Sequence, residues 1–236
     1  MPAAILTIGN ELVSGDVENS NAAWLARRLQ ELGVRTILTA AVPDEIGLIV
    51  EFIRRERVRV DHMLVTGGLG GTPDDLTREA LAATFDVPQV VMPELAEDLR
   101  SRFTGAPEYA ARWAALPLGA TPLTNPLGGA PGFRLENVWV LPGLPSEMEA
   151  MFDAYAEELR AARPIHVWRR SYSTRESRIA PVLEEATGRW PVATIGSYPS
   201  FLPDGPRVEV VLKTSDSDAF ASASAFLDEQ LGRVTR

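Results

Sequence analysis

The stretch from Met63 to Glu79 constrains this chain more than any other. Met63-Leu64-Val65 is an apolar strand. It runs into Thr66-Gly67-Gly68-Leu69-Gly70-Gly71-Thr72-Pro73-Asp74-Asp75-Leu76-Thr77, and a helix begins behind this cluster of glycines, acids and hydroxyls. Backbone without Cβ atoms approaches a ligand closely and turns its N–H groups toward an anion. A helix start adds partial positive charge at the same place. The adjacent carboxylates of Asp74 and Asp75 repel a bare phosphate unless a divalent cation lies between them. The junction therefore points to a metal-bridged phosphate or nucleotide site on a strand–loop–helix scaffold.

The flanking sequence repeats that scaffold. Ala3 to Ile8 is a nearly continuous apolar run, as in a parallel strand covered on both faces. A polar loop from Gly9 to Asn19 precedes a helix capped by Ser20, with Ala22, Leu25, Leu29 and Leu32 on one stripe and Gly33 at its end. Val34 to Val42 reads as a second strand, Asp44 as the opening of a helix carrying Ile46, Ile49, Val50 and Ile53, and His62 to Thr66 as a third strand. This alternation predicts an α/β fold, an open and mostly parallel sheet with helices on both faces. Ligands bind beyond the carboxyl ends of such strands, so the loops at 9–19, 43–45 and 67–75 are expected to converge.

Helices are expected over 93–103 and 107–115, then a Pro/Gly-rich loop to Gly132 and a hairpin from Phe133 to Leu141 turned at Glu136-Asn137. Pro142-Gly143-Leu144-Pro145-Ser146-Glu147 leads into a helix with Met148, Met151, Phe152, Tyr155 and Leu159 on its apolar side, a second candidate anion site. From about Pro164 the order becomes β-α-β-β-α: strands at 166–172, 192–197 and 207–213, and helices at 176–186 and around Phe220 to Leu231. The predicted division is residues 1–163 and a small α+β lobe over 164–236.

Composition narrows the chemistry. A chain of 236 residues without cysteine has no thiolate metal site, disulfide or cysteine nucleophile. His62 and His166 form no spaced ligand pair and read as structural, so an oxygen-liganded cation such as magnesium is expected rather than zinc. Lys213 is the only lysine, which excludes a P-loop lysine and disfavours a Schiff base. The net charge of −9 argues against nucleic acid as a partner. No membrane-span-length apolar run or signal peptide is visible, so a cytoplasmic location is expected.

Several motifs in order carry a resemblance. Ile8-Gly9-Asn10-Glu11-Leu12 with Gly15 and Asn21-Ala22, Val42-Pro43-Asp44, Gly67 to Glu79, Asn125 to Phe133, and Leu141 to Met148 resemble the CinA (competence/damage-inducible protein A) family, whose N-terminal domain is of the MoaB/Mog molybdopterin-binding type. Arg175-Glu176-Ser177 and Ile195-Gly196-Ser197-Tyr198-Pro199 are similar to the KH-type lobe that follows this domain and to the corresponding region of FAD synthases. The sequence departs at Gly71, where the family usually shows Pro, and at Gly129, where a hydroxyl or other small residue is usual. These changes are expected to loosen the loop and remove a phosphate contact. The family's C-terminal nicotinamide-nucleotide amidase region is not in the sequence, so amide hydrolysis is not expected of it.

The resemblance implies a pterin or nucleotide phosphate as ligand, and a homo-oligomer. It further implies either metal-dependent hydrolysis of a nucleotide pyrophosphate such as ADP-ribose or FAD, or adenylyl transfer to molybdopterin. Non-catalytic binding is the third reading. By family position Asp75 and Asp44 are the catalytic and metal-binding candidates, with Glu11 a third metal ligand. Asp75 is read as functional and Asp74 as a cap or outer acid. Asp44 stands open between chemistry and capping, and Glu11 between ligation and a solvated loop. The ligand-binding candidates are Gly67, Gly68, Gly70, Thr72, Thr77, Asn21, Gly143 and Ser146. A first-turn Thr such as Thr77 often bonds only its own helix, and an N-cap role explains Ser146 almost as well as a phosphate contact. Nothing in the KH-type topology calls for RNA.

Overall fold

Strand β1 (Pro2–Ile8) is buried from Ala3 to Ile8, and successive side chains alternate between two cores. Around it the computed structural model, which describes residues 1–235, forms two units, Met1–Ala161 and one beginning at Ala162. In chain order the first unit continues with α1 (Asn10–Ser14), α2 (Ser20–Glu31), β2 (Arg35–Val42), α3 (Ile46–Glu56), β3 (His62–Thr66) and α4 (Thr77–Thr84). Then come β4 (Gln89–Val91), α5 (Pro93–Arg102), α6 (Pro107–Ala111), β5 (Ala115–Pro117), β6 (Thr121–Leu123), β7 (Gly132–Leu135), β8 (Val138–Leu141) and α7 (Pro145–Leu159).

The main sheet has the order β2-β1-β3-β8-β7-β6. Strands β2, β1, β3 and β8 are mutually parallel neighbours, and β7 and β6 are antiparallel additions. Ala4, Leu6 and Ile8 pack with Ile49, Ile53 and Leu81 of α3 and α4. Ala3 and Ile5 pack with Leu25 and Leu29 of α2 and with Met148 and Phe152 of α7 on the other face. Leu25 and Leu29 share a face because they are four apart, and truncating either to Ala removes about 2–5 kcal/mol of packing. The chain leaves β1 for β2 on one side and returns to β3 on the other. That reversal opens a crevice beyond the carboxyl ends of β1 and β3.

The second unit contains β9 (His166–Tyr172), α8 (Glu176–Arg189), β10 (Thr194–Leu202), β11 (Gly205–Thr214) and α9 (Ser217–Val234). Its antiparallel sheet, β10-β11-β9, carries a core of Trp168, Val210 and Leu212 packed with Ile179 of α8 and Leu227 and Leu231 of α9.

The α/β class and the β-α-β-β-α order match expectation, while several local readings change. The loop after β1 contains a short helix, α1. The cap of α2 is Asn19, whose side chain accepts from the Ala22 N–H at 3.2 Å, rather than Ser20. Helix α3 begins at Ile46, so Asp44 does not open it. The helix expected over 107–115 ends at Ala111, and its last residue begins β5. β4, β5 and β6 have three residues each, too short to show a period. β10 runs on through Pro199 to Leu202, beyond the expected 197.

Candidate functional site

Two buried threonines form the floor of the crevice. Thr7 and Thr66 are paired across β1 and β3 near their carboxyl ends, and each is 1 % exposed. The Thr7 hydroxyl donates to the Ala40 carbonyl (3.1 Å) and accepts from Asn19 Nδ2 (2.7 Å). The Thr66 hydroxyl donates to the Pro142 carbonyl (2.5 Å) and accepts from Asn21 Nδ2 (3.3 Å), which also donates to the Gly143 carbonyl (2.8 Å). That carbonyl fixes the Asn21 amide orientation, because the flipped amide would set oxygen against oxygen. Asn21 Oδ1 is left buried without a partner. The cavity above measures about 100 Å³ and is lined by Thr7, Glu11, Asn19, Asn21, Gly67 and Gly143, among others.

The glycine loop closes one side of the crevice. Gly67 and Gly68 adopt φ of 106° and 63°, and a Cβ on Gly67 would stand 2.1 Å from the Ile8 carbonyl oxygen. Gly143 lies so close to Gly67 that its Cβ would come within 3.2 Å of the Gly67 Cα, which brings the first and last glycine motifs into contact. Thr77 is fully buried, and its hydroxyl donates to the Gly67 carbonyl at 2.8 Å. Its place is thus behind the loop, holding it, and a Cβ on Gly68 would collide with that hydroxyl.

Arg78, which the sequence reading passed over, completes this support. At 6 % exposure it donates from Nη1 to the Leu69 carbonyl (2.8 Å) and from Nη2 to the Gly70 carbonyl (2.6 Å). Burial pushes the guanidinium pKa down, opposed by Glu79, Asp75 and Tyr109 nearby. The signal was legible, since Arg78 stands three and four residues before Leu81 and Ala82, on the buried side of α4. Among the described residues no carboxylate pairs with it directly, so its charge stays behind the loop.

The acids stand on the other side. The Asp75 carboxylate accepts from the Gly70 N–H (2.8 Å) and the Thr72 N–H (2.8 Å), and also from the Thr72 hydroxyl. It is half-buried, and Gly70 gives it room, because a Cβ there would sit 2.5 Å from its Oδ2. Asp44 accepts from the Asn10 N–H (2.9 Å), and its own N–H donates back to Asn10 Oδ1 (3.4 Å), which ties the second loop to the start of α1. Burial raises the Asp44 pKa first. The Asn10 N–H opposes this, and the charges of Glu11, Asp74 and Asp75 add to the rise. Glu11 is exposed on α1 with its carboxylate folded over Gly9. Asp74 is exposed and makes no cap; Leu76 precedes α4 without a side-chain bond. Ser146 is exposed in the first turn of α7 and likewise caps nothing.

Both family departures have local partners. The Tyr109 ring occupies the space beside Gly71, where a Cβ would lie 2.5 Å from its Cζ. The Glu147 carboxylate fills the space beside Gly129 and accepts from Asn125 Nδ2 at 2.9 Å. Neither partner was anticipated from sequence, since each contact joins segments far apart in the chain.

Comparison with known proteins places both regions of the chain beside described domains. The family described as "Probable molybdopterin binding domain" matches residues 4–161, and the family described as "FAD synthase, middle domain" matches residues 164–235. A protein of Pyrobaculum calidifontis is 39% identical over 230 residues, covering 91% of this chain and 88% of its own length. A CinA-like protein of Frankia casuarinae is 38% identical over 238 residues, covering 92% of this chain and 54% of the relative, so the chain spans about half of that protein. The crystal structure of the protein CinA from Thermoplasma acidophilum, described as of unknown function, superposes with a TM-score of 0.64 at 29% identity, covering 68% of this chain and all of that one. The chain belongs to the CinA-like molybdopterin-binding-domain family, and the region after that domain is similar to the middle domain of FAD synthase.

Proposed function

We propose that this protein is a metal-dependent hydrolase of a nucleotide pyrophosphate of the ADP-ribose or FAD kind. The observation that carries the reading is the charge arrangement across the glycine loop. A buried Arg78, with no direct ion-pair partner among the described residues, lies behind it, and in front the charges of Glu11, Asp74 and Asp75 act on Asp44. A pyrophosphate bridged by a cation satisfies both sides at once.

The donor chemistry fits such a cation. All the acids are hard oxygen ligands, and their mutual repulsion, felt at Asp44, is relieved by a bound divalent ion. Among the described residues no three carboxylates or histidines are grouped as a ready metal cage. Magnesium held by one or two carboxylates, with substrate phosphate and water completing the shell, needs no such cage. Asp75 and Asp44 would hold it, with Glu11 at the crevice mouth. When bound, the ion neutralises phosphoryl charge and makes water more acidic.

The chain's own groups do the rest. Arg78 draws the Leu69 and Gly70 carbonyls to its own side of the loop, and the Gly70 N–H turns to the opposite side, toward Asp75. Asn21 and the two threonines fix the floor and hold Gly143 against Gly67. Water adds to phosphorus as the bridging P–O bond breaks. ADP-ribose then yields AMP and ribose 5-phosphate, with one water consumed. The cavity of about 100 Å³ holds a phosphate-sized group and leaves the nucleoside outside it. Incubation with ADP-ribose or FAD and magnesium, manganese or cobalt, read as AMP release, tests the reading. Protein that binds the nucleotide and releases no AMP with any of these metals overturns it. The matched domain description favours one second reading, adenylyl transfer to molybdopterin. ATP-dependent adenylation of molybdopterin would promote it.

A further inference from the structure

The Asp75 carboxylate is bonded as a ligand anion would be. It takes the N–H groups of Gly70 and Thr72, both at 2.8 Å, and the Thr72 hydroxyl. Two loop amides and a hydroxyl converging on one anion form the donor set that such loops present to phosphate. Directly behind, Arg78 bonds the carbonyls of Leu69 and Gly70, so it holds the peptide that carries the Gly70 N–H and the next one along the loop. The absence of a Cβ at Gly70 is what admits the carboxylate, since that atom would sit 2.5 Å from Oδ2. The cradle is therefore preformed and filled from within.

We propose that Asp75 is a built-in plug of the phosphate cradle, and that cation binding withdraws its carboxylate and frees the Gly70 and Thr72 amides for the ligand. This rests on the phosphate-site reading above and adds an order to it, cation before phosphate. No covalent step is involved. The carboxylate exchanges one set of partners, the loop donors, for another, the cation. A ligand anion in the metal-free protein must compete with a tethered carboxylate for the same donors, and its apparent affinity falls by the fraction of molecules in which the plug is open.

The test uses inorganic pyrophosphate in EDTA, so its outcome does not depend on hydrolysis or on the nucleoside. With the plug open in one molecule in ten, Asp75→Ala binds pyrophosphate about 10-fold more tightly than the parent protein in EDTA, and Asp75→Asn, which keeps one acceptor oxygen, gains less. A residue that only orders the loop gives no gain or a loss, and one that only repels the anion gives a gain but leaves the loop amides unaffected by cation. Because Asp75→Ala could disorder the loop, a second measurement uses the unaltered protein. Adding magnesium alone should lower the hydrogen-exchange protection of the Gly70 and Thr72 amides. Equal or weaker pyrophosphate binding by both variants, or amide protection unchanged by magnesium, overturns the plug. The proposed hydrolase activity is judged separately by AMP release from ADP-ribose, so either proposal can fail alone.

Discussion

Tyr109 rests on Gly71, its ring filling the space a side chain at 71 would need: a Cβ there would lie 2.5 Å from the ring's Cζ and 2.7 Å from its hydroxyl oxygen. Trp113 meets the Tyr109 ring edge-on at 5.7 Å, and Phe103 meets Trp113 at 5.0 Å, so the helical pair α5–α6 reaches the glycine loop through a chain of aromatic contacts. Gly71, which from sequence alone reads as a loosened loop, is thus covered by a ring.

This pairing predicts non-additivity. Gly71→Ala forces the ring aside, and because Tyr109 is 39% exposed and can swing outward the cost should be about 1 kcal/mol, the low end for an overpacked contact. Tyr109→Ala removes the obstacle, and the double variant should recover at least about 0.5 kcal/mol of the summed single losses. Chemical denaturation of the four proteins measures the coupling. Simple addition of the two losses would show that the contact carries no energy.

Arg78 is predicted to be the costliest polar residue of the site to remove. Arg78→Met leaves the Leu69 and Gly70 carbonyls buried without donors, at about 1–3 kcal/mol each. Arg78→Lys keeps the charge but supplies a point donor in place of a planar fork, so it should restore only part of the loss. Thermal melts rank the three proteins. A Met variant as stable as the parent would contradict the assigned role.

Asp44 is bonded as scaffold and charged as a ligand, and one pair of variants separates the two roles. Asp44→Asn retains an oxygen to accept from the Asn10 N–H, so stability should change by less than about 1 kcal/mol. It loses the charge a cation needs, and metal affinity should drop about 10–100-fold, a range taken from disturbed metal sites. Asp44→Ala should lose both. Metal titration by calorimetry beside a melting curve decides. Equal metal affinity in Asp44→Asn and the parent would remove Asp44 from the metal site.

The fold was legible where period and punctuation reinforced each other. β1, β2 and β3 carry apolar runs or alternation, α2 carries a stripe ended by Gly33, and the glycine signature marks the β3–α4 junction. The site was legible as a set of loops because parallel strands must deliver their carboxyl ends to one edge. Legibility stopped where contacts are long-range. Nothing local in Tyr109 or Glu147 announces the glycine it covers. Asn19 rather than Ser20 caps α2 because both are good caps in adjacent positions and tertiary bonding to Thr7 chose between them. Thr77 and Asp75 were read as facing a ligand and a metal, and in the structure their partners are the loop's own backbone and the Thr72 hydroxyl.

His62 gives the first unit a pH-dependent contribution to stability near neutrality. It begins β3 with Nε2 buried and without a partner, and burial holds its imidazole below the ordinary value of 6.5, outweighing the opposing pull of Asp61. The folded state therefore prefers neutral His62 more than the unfolded chain does. As pH falls below about 6.5 the unfolded chain takes up the proton first, so stability declines. The decline continues down to the lower folded-state pKa and then stops, because both states are protonated. Above pH 6.5 both states are neutral and His62 contributes no slope. His62→Gln cannot titrate, so its denaturation midpoint should fall less between pH 7 and pH 5 than that of the parent. Parallel pH profiles for the two proteins would contradict the assignment of this slope to His62, since the remaining histidine, His166, is present in both.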